Sequence, residues 1–194
     1  MFDLERFIDD CQQAVAGPDG ARAVRELVAH AVADREALLR ALGEPTRAGL
    51  ITLHRSETLT VLNLVWGPYM TLPPHDHGIW AAIGIYGGRE DNIFWRRIEE
   101  GPGRASRVEA AGAKSMCAGD VAALGKDIVH SVLNPIGRLT GALHIYGGDF
   151  FHPHRHEWDA ETLCEGPYDA ERTRQRFEAS NARLDPAAGC VRAA

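Results

Sequence analysis

The stretch Pro73-Pro74-His75-Asp76-His77-Gly78-Ile79-Trp80 is the most informative in the chain. Side chains at i and i+2 of an extended segment project to the same face, so His75 and His77 aim two imidazoles at one point. Two such nitrogens are two-thirds of a facial metal triad; a surface loop that happens to carry two histidines is the alternative. Around this stretch the chain reads as short runs rich in Val, Ile, Leu, Thr and aromatic residues, divided by Gly and Pro. The runs are Leu59 to Trp66, Trp80 to Tyr86, Asn92 to Ile98, Ser106 to Ala111, Asp120 to Leu124, Ile128 to Val132 and Leu139 to Tyr146. With no helical pattern between them, they predict an antiparallel sandwich or barrel.

Outward from this strand-rich middle the grammar changes. Upstream, Leu4, Phe7, Ile8, Cys11 and Val15 form one helical stripe, which Gly17-Pro18-Asp19-Gly20 breaks. A second stripe over Ala23, Leu27, Ala31 and Val32 follows, then a third from Asp34 through Leu42, stopped by Gly43 and Pro45. Downstream, the chain turns polar after His152, and Asp169 to Ala182 reads as a helix before an Ala-rich end expected to fray. The 194 residues, 45% hydrophobic and 25% charged, suit one domain with helical extensions.

Composition excludes several function classes. The longest apolar run, Ile79 to Tyr86, falls far short of the roughly 20 residues that span a bilayer. The start lacks a basic segment followed by an apolar one, so a cytoplasmic location is expected. A net charge of -6, with Lys114 and Lys126 the only lysines, argues against nucleic-acid and membrane partners and for a small molecule. Whether the chain is a monomer or a homo-oligomer is open. Cys11, Cys117, Cys164 and Cys190 have no CxxC or CxH spacing and are expected to be free thiols. Gly87-Gly88 and Gly147-Gly148 are turn signals rather than phosphate loops, and no GxSxG motif supports hydrolase chemistry.

A second segment bears on the histidine pair. In Gly119 to Asn134, His130 lies beyond a glycine turn and Asn134 follows at its fourth position. Together with His75-Asp76-His77 this resembles the two motifs of the cupin superfamily, over Gly49 to Phe151. The resemblance implies a mainly β fold: a double-stranded β-helix (cupin, or jelly-roll) barrel over 48–151. A helical N-terminal segment, 1–47, would pack on it, and a loop and short helix, 152–194, would follow. It also implies a metal held by His75, His77 and His130. The glutamate ligand usual in cupins would fall at Ala81 or Ala82, and neither can ligate. Three neutral ligands cancel none of the ion's charge, which favours an anionic ligand, such as a thiolate or carboxylate, at the open positions.

A three-histidine set, with Leu64-Val65-Trp66-Gly67, Ile83-Gly84-Ile85 and Leu143-His144-Ile145-Tyr146 in order, resembles the cysteine dioxygenase-like thiol dioxygenases. That family implies Fe(II), with O2 as cosubstrate, oxidising cysteine or a mercapto-carboxylate to its sulfinate; imidazole also suits Zn, Ni and Cu. Its Ser-His-Tyr relay maps onto His144 and Tyr146 as catalytic candidates, but Ala142 stands at the serine position. Ala82 stands where some members carry the cysteine of a thioether crosslink. For the substrate carboxylate the resemblance points to Arg55, at a spacing to Trp66 shorter than expected. Arg155, in a region that closes the barrel mouth in neighbours of the family, is a lesser candidate. Trp80 walls the pocket or packs in the core, and Asp76 orients a ligand or stabilises a turn. The alternating cluster His152-Pro153-His154-Arg155-His156 is expected to be a loop. Two other readings stand beside the thiol dioxygenase: a metal-binding cupin that senses or binds a small molecule without turnover, and another cupin enzyme using the same histidines.

Overall fold

Three strands carry the architecture: β2 (Thr60–Trp66), β4 (Ala81–Gly87) and β9 (Thr140–Tyr146). Almost every residue in them is buried, because both faces of their sheet are covered. On one face, Leu62, Leu64, Trp66, Ala81, Ile83, Ile85, Ala142 and Tyr146 fill the barrel interior. On the other, Val61, Ala82, Tyr86, Leu143 and Ile145 meet the N-terminal helices. The period-2 alternation of strands thus sorts one apolar run into two cores.

The computed structural model describes residues 2–152 and 154–184. Cys190 and the Ala-rich end lie outside the described residues. Helices α1 (Leu4–Val15), α2 (Gly20–Ala33) and α3 (Arg35–Leu42) precede β1 (Gly49–Arg55). Asp3 caps α1 by accepting from the Arg6 N–H at 3.0 Å, and Asp34 caps α3 by accepting from Ala37 at 2.9 Å. Val24, Val28, Ala31 and Val32 form the buried stripe of α2, each valine contributing about 1.5–3 kcal/mol. Close approach of α2 to the sheet depends on Gly84, where an added Cβ would lie 2.5 Å from Val28 and 2.8 Å from Val32.

The remaining strands are β3 (Thr71–His75), β5 (Arg89–Ile98), β6 (Arg107–Cys117), β7 (Val121–Leu124), β8 (Val129–Leu133), β10 (His156–Trp158) and β11 (Glu165–Pro167), before helix α4 (Ala170–Leu184). One sheet runs β1-β2-β9-β4-β7 and the other β11-β10-β3-β8-β5-β6, all pairs antiparallel. This is a double-stranded β-helix, flanked by helices at each end of the described chain.

Several segments differ from the sequence expectation, with β1 and β11 strands where none was expected. Pro73 and Pro74 lie inside β3, where the register to β8 shifts between Leu72 and His75, the irregularity that accommodates residues unable to donate. His156–Trp158, expected to be loop, is a strand paired with β11 and, through Glu157, with His75. Its polarity is explained by its partners: His156 and Glu157 bond Asp76 and Arg172. No described helix is long and apolar enough to cross a membrane. Cys11, Cys117 and Cys164 are free.

Candidate metal centre

β3 ends at His75, and the turn after it delivers His77 to the same side; β8 presents His130 directly across from His75 in register. One ring nitrogen from each of the three lies within 4.8 Å of the other two, and His77 Nε2 stands 3.4 Å from His130 Nε2. Nitrogens bound to one ion at about 2.0–2.1 Å sit roughly 3–3.4 Å apart, so this spacing suits a shared metal. The outer nitrogens are engaged. His75 Nδ1 donates to the Pro73 carbonyl at 2.9 Å, and His130 Nδ1 donates to Asn92 Oδ1 at 2.7 Å. Both rings therefore turn an Nε2 lone pair inward, as metal ligands require.

Electrostatics agree with the geometry. Burial drives His75 down to about 4 and holds His77 and His130 well below the usual histidine range. All three rings are neutral near pH 7, the state that ligates. No carboxylate joins them among the described residues. The donor set fits a first-row divalent ion.

The cavity beside the triad is about 30 Å³. Leu64, Leu72 and Val132 supply its apolar wall, and Tyr168, Thr173 and Phe177 cap it from the C-terminal segment. Tyr146 also lines it, its ring edge-on to His77 at 5.2 Å and its hydroxyl 3.1 Å from His144 Nδ1. Burial pushes that hydroxyl above its ordinary pKa of 10.0, so it stays protonated.

Arg155 is the cation of the cavity. Its guanidinium lies between the Phe150 ring at 4.3 Å and the Tyr168 ring at 4.1 Å, and its Nη1 is buried with no hydrogen-bond partner among the described residues. Arg55, favoured by the sequence, is elsewhere: it makes a two-pronged pair with Asp149 at 2.9 and 2.8 Å, half exposed, and does not line the cavity. The shorter spacing to Trp66 was the sign of this. Trp80 packs with the helix-side core rather than on the cavity. Asp76 faces away from both histidines and binds the His156 N–H at 2.8 Å and Arg97 at 2.9 Å, so it ties β10 to the metal loop. His152 and His154 are exposed and stand apart from the triad. Asn134 clamps a loop, donating to the carbonyls of Gly67 and Arg138 at 2.8 Å each.

Two residues that the sequence reading did not single out complete the surroundings. Asn92 supports His130, as described, and its Nδ2 donates to Glu90 Oε1 at 2.9 Å. Glu90 is fully buried and accepts at Oε2 from the Trp66 indole at 2.6 Å, with His144 Nε2 at 3.8 Å from the same oxygen. Burial alone would raise its carboxyl; the facing His144 ring and the bonds from Asn92 and Trp66 hold it below the usual range. The alternation of Glu90 and Asn92 was the available signal, had β5 been read to begin at Arg89 instead of Asn92.

No family model matches this chain. Among solved structures it is similar to a double-stranded β-helix cupin protein of Methanocaldococcus jannaschii, at 9% identity and TM-score 0.44, over 56% of this chain and 87% of that one. It is also similar to a DMSP lyase of Ruegeria pomeroyi, at 16% identity and TM-score 0.42, over 56% and 50%. Oxalate decarboxylase of Bacillus subtilis matches at 17% identity and TM-score 0.39, over 53% and 24%. The strand order and pairing described above define the fold: a double-stranded β-helix protein with a buried three-histidine cluster inside it.

Proposed function

We propose that the chain is a mononuclear Fe(II) dioxygenase that converts a small thiol bearing a carboxylate to its sulfinate. The observation that carries this reading is one cavity holding three neutral imidazoles, no ligating carboxylate, a tyrosine hydroxyl and an unpartnered buried guanidinium nitrogen. Iron there supplies the redox chemistry by which both atoms of O2 end on sulfur, RSH plus O2 giving RSO2H with no further reductant.

The protein's residues do the rest. His75, His77 and His130 hold the ion and leave its charge uncancelled, which favours an anionic sulfur beside it. Arg155 takes the carboxylate, satisfying the nitrogen left without a partner. Tyr146 would face the substrate with its hydroxyl oxygen, with His144 orienting it. The apolar wall keeps water out and strengthens each of these contacts. The cavity, about 30 Å³ as it stands, would admit a substrate as Tyr168, Thr173 and Phe177 give way.

The test is oxygen uptake by anaerobically purified, Fe(II)-loaded protein against cysteine, 3-mercaptopropionate, mercaptolactate and cysteamine. Uptake with a carboxylate thiol, sulfinate as product and loss in His75→Ala is the expected result. A rise in melting temperature with these thiols and no uptake assigns the site to binding without turnover.

A further inference from the structure

The relay of Tyr146 and His144 lacks the third member that the resembling family supplies from the strand of the histidine itself. Ala142 offers no side-chain hydrogen bond, and His144 Nε2 is buried without a partner among the described residues. What faces that nitrogen is Glu90, from β5 in the opposite sheet, at 3.8 Å. That gap exceeds a hydrogen bond but not the reach of charge, and a few tenths of an ångström of ring movement close it. A carboxylate with zero exposure inside an apolar barrel is expensive unless its oxygens are satisfied. Trp66 and Asn92 satisfy part of that demand, and both are neutral donors.

We propose that Glu90 is the positioning residue of this site, holding the proton of His144 on Nε2 and the amide of Asn92 with its oxygen toward His130. The two effects follow from one carboxylate being able only to accept. On the Asn92 side, Nδ2 must face Glu90, so Oδ1 faces His130, which must then carry its proton on Nδ1 and turn Nε2 to the metal position. On the His144 side, Nε2–H points at Glu90, so Nδ1 is an acceptor and the Tyr146 hydroxyl donates to it across 3.1 Å. The free lone pairs of the Tyr146 oxygen are then left to the cavity. Resting on the function proposed above, this makes Tyr146 an acceptor toward the substrate, suited to an ammonium N–H, while Arg155 is the donor to its carboxylate.

The experiment is nitrogen-15 NMR of histidine-labelled protein, metal-free and after zinc addition, with His144 assigned by a His144→Gln spectrum. The expected result is a neutral His144 ring protonated on Nε2 in both states, and a switch to Nδ1 protonation in Glu90→Gln, whose amide can donate to Nε2. A proton on Nδ1 of His144 in the wild type, or an unchanged ring in a folded Glu90→Gln, overturns the proposal. The wild-type spectrum decides even if the variant fails to fold. Failure of the metal reading shows separately, as unmoved His75, His77 and His130 signals on adding zinc.

Discussion

A single guanidinium separates two readings of the substrate. Arg155 has an unpartnered buried nitrogen in the cavity, whereas Arg55 is already paired to Asp149. Losing a hydrogen bond to a charged group costs about 1.5–3 kcal/mol, or roughly 10–100-fold in an equilibrium constant. Arg155→Gln should therefore raise KM by about that factor for 3-mercaptopropionate and leave cysteamine, which has no carboxylate, nearly unchanged. Steady-state oxygen uptake with the two thiols checks it; equal losses with both would reduce Arg155 to a packing residue. At this scale the histidines were legible because i, i+2 spacing on extended backbone dictates a common direction. Arg155 was harder to rank, since its segment reads as polar loop and only the pairing of β10 with β3 draws it in. Glu90 lay hidden between Arg89 and Asp91, a charged triplet that resembles a solvated turn until the register of β5 is known.

Among the elements, the contact of α2 with the five-stranded sheet is the most sharply defined. Because a Cβ at Gly84 would overlap Val28 and Val32, Gly84→Val must push α2 outward or bend β4. Overpacking of this kind costs about 1–3 kcal/mol, which urea unfolding should report as a lower midpoint with an unchanged slope. The helices and central strands were readable from periodicity, because burial on one stripe or two faces leaves a repeating apolar signature. β1, β3 and β10 were not. β1 lies at a sheet edge with much of its length exposed, β3 contains two prolines, and β10 has three residues, of which His156 and Glu157 are polar.

For the molecule as a whole, alkaline pH tests the buried thiol and phenol. Burial pushes the Cys11 thiol from 9.0 up to about 12 and the Tyr86 hydroxyl from 10.0 up to about 12. Both groups then hold their protons in the folded state at pH values where the unfolded chain has lost them. The unfolded state binds fewer protons, so stability falls as pH rises. The loss begins near pH 9 and continues toward 12; below that range these groups contribute no pH dependence. Denaturant midpoints should be flat from pH 7 to about 9 and then decline, with a shallower decline in Cys11→Ala. A midpoint that held steady to pH 11 would show that neither group remains protonated by burial.

The place of β9 between β2 and β4 has a consequence for how the chain is made. The three helices end at Leu42, but the sheet face that they cover has no centre until Tyr146 has been synthesised. At about 5–20 residues per second, translation leaves the apolar stripes of α1 and α2 without a complete sheet to cover for roughly 5–20 seconds. Until β9 is in place, Phe7, Val24, Val28 and Val32 lack part of the sheet they pack against in the folded structure. Those side chains form the surface that a holding chaperone would shield on the ribosome.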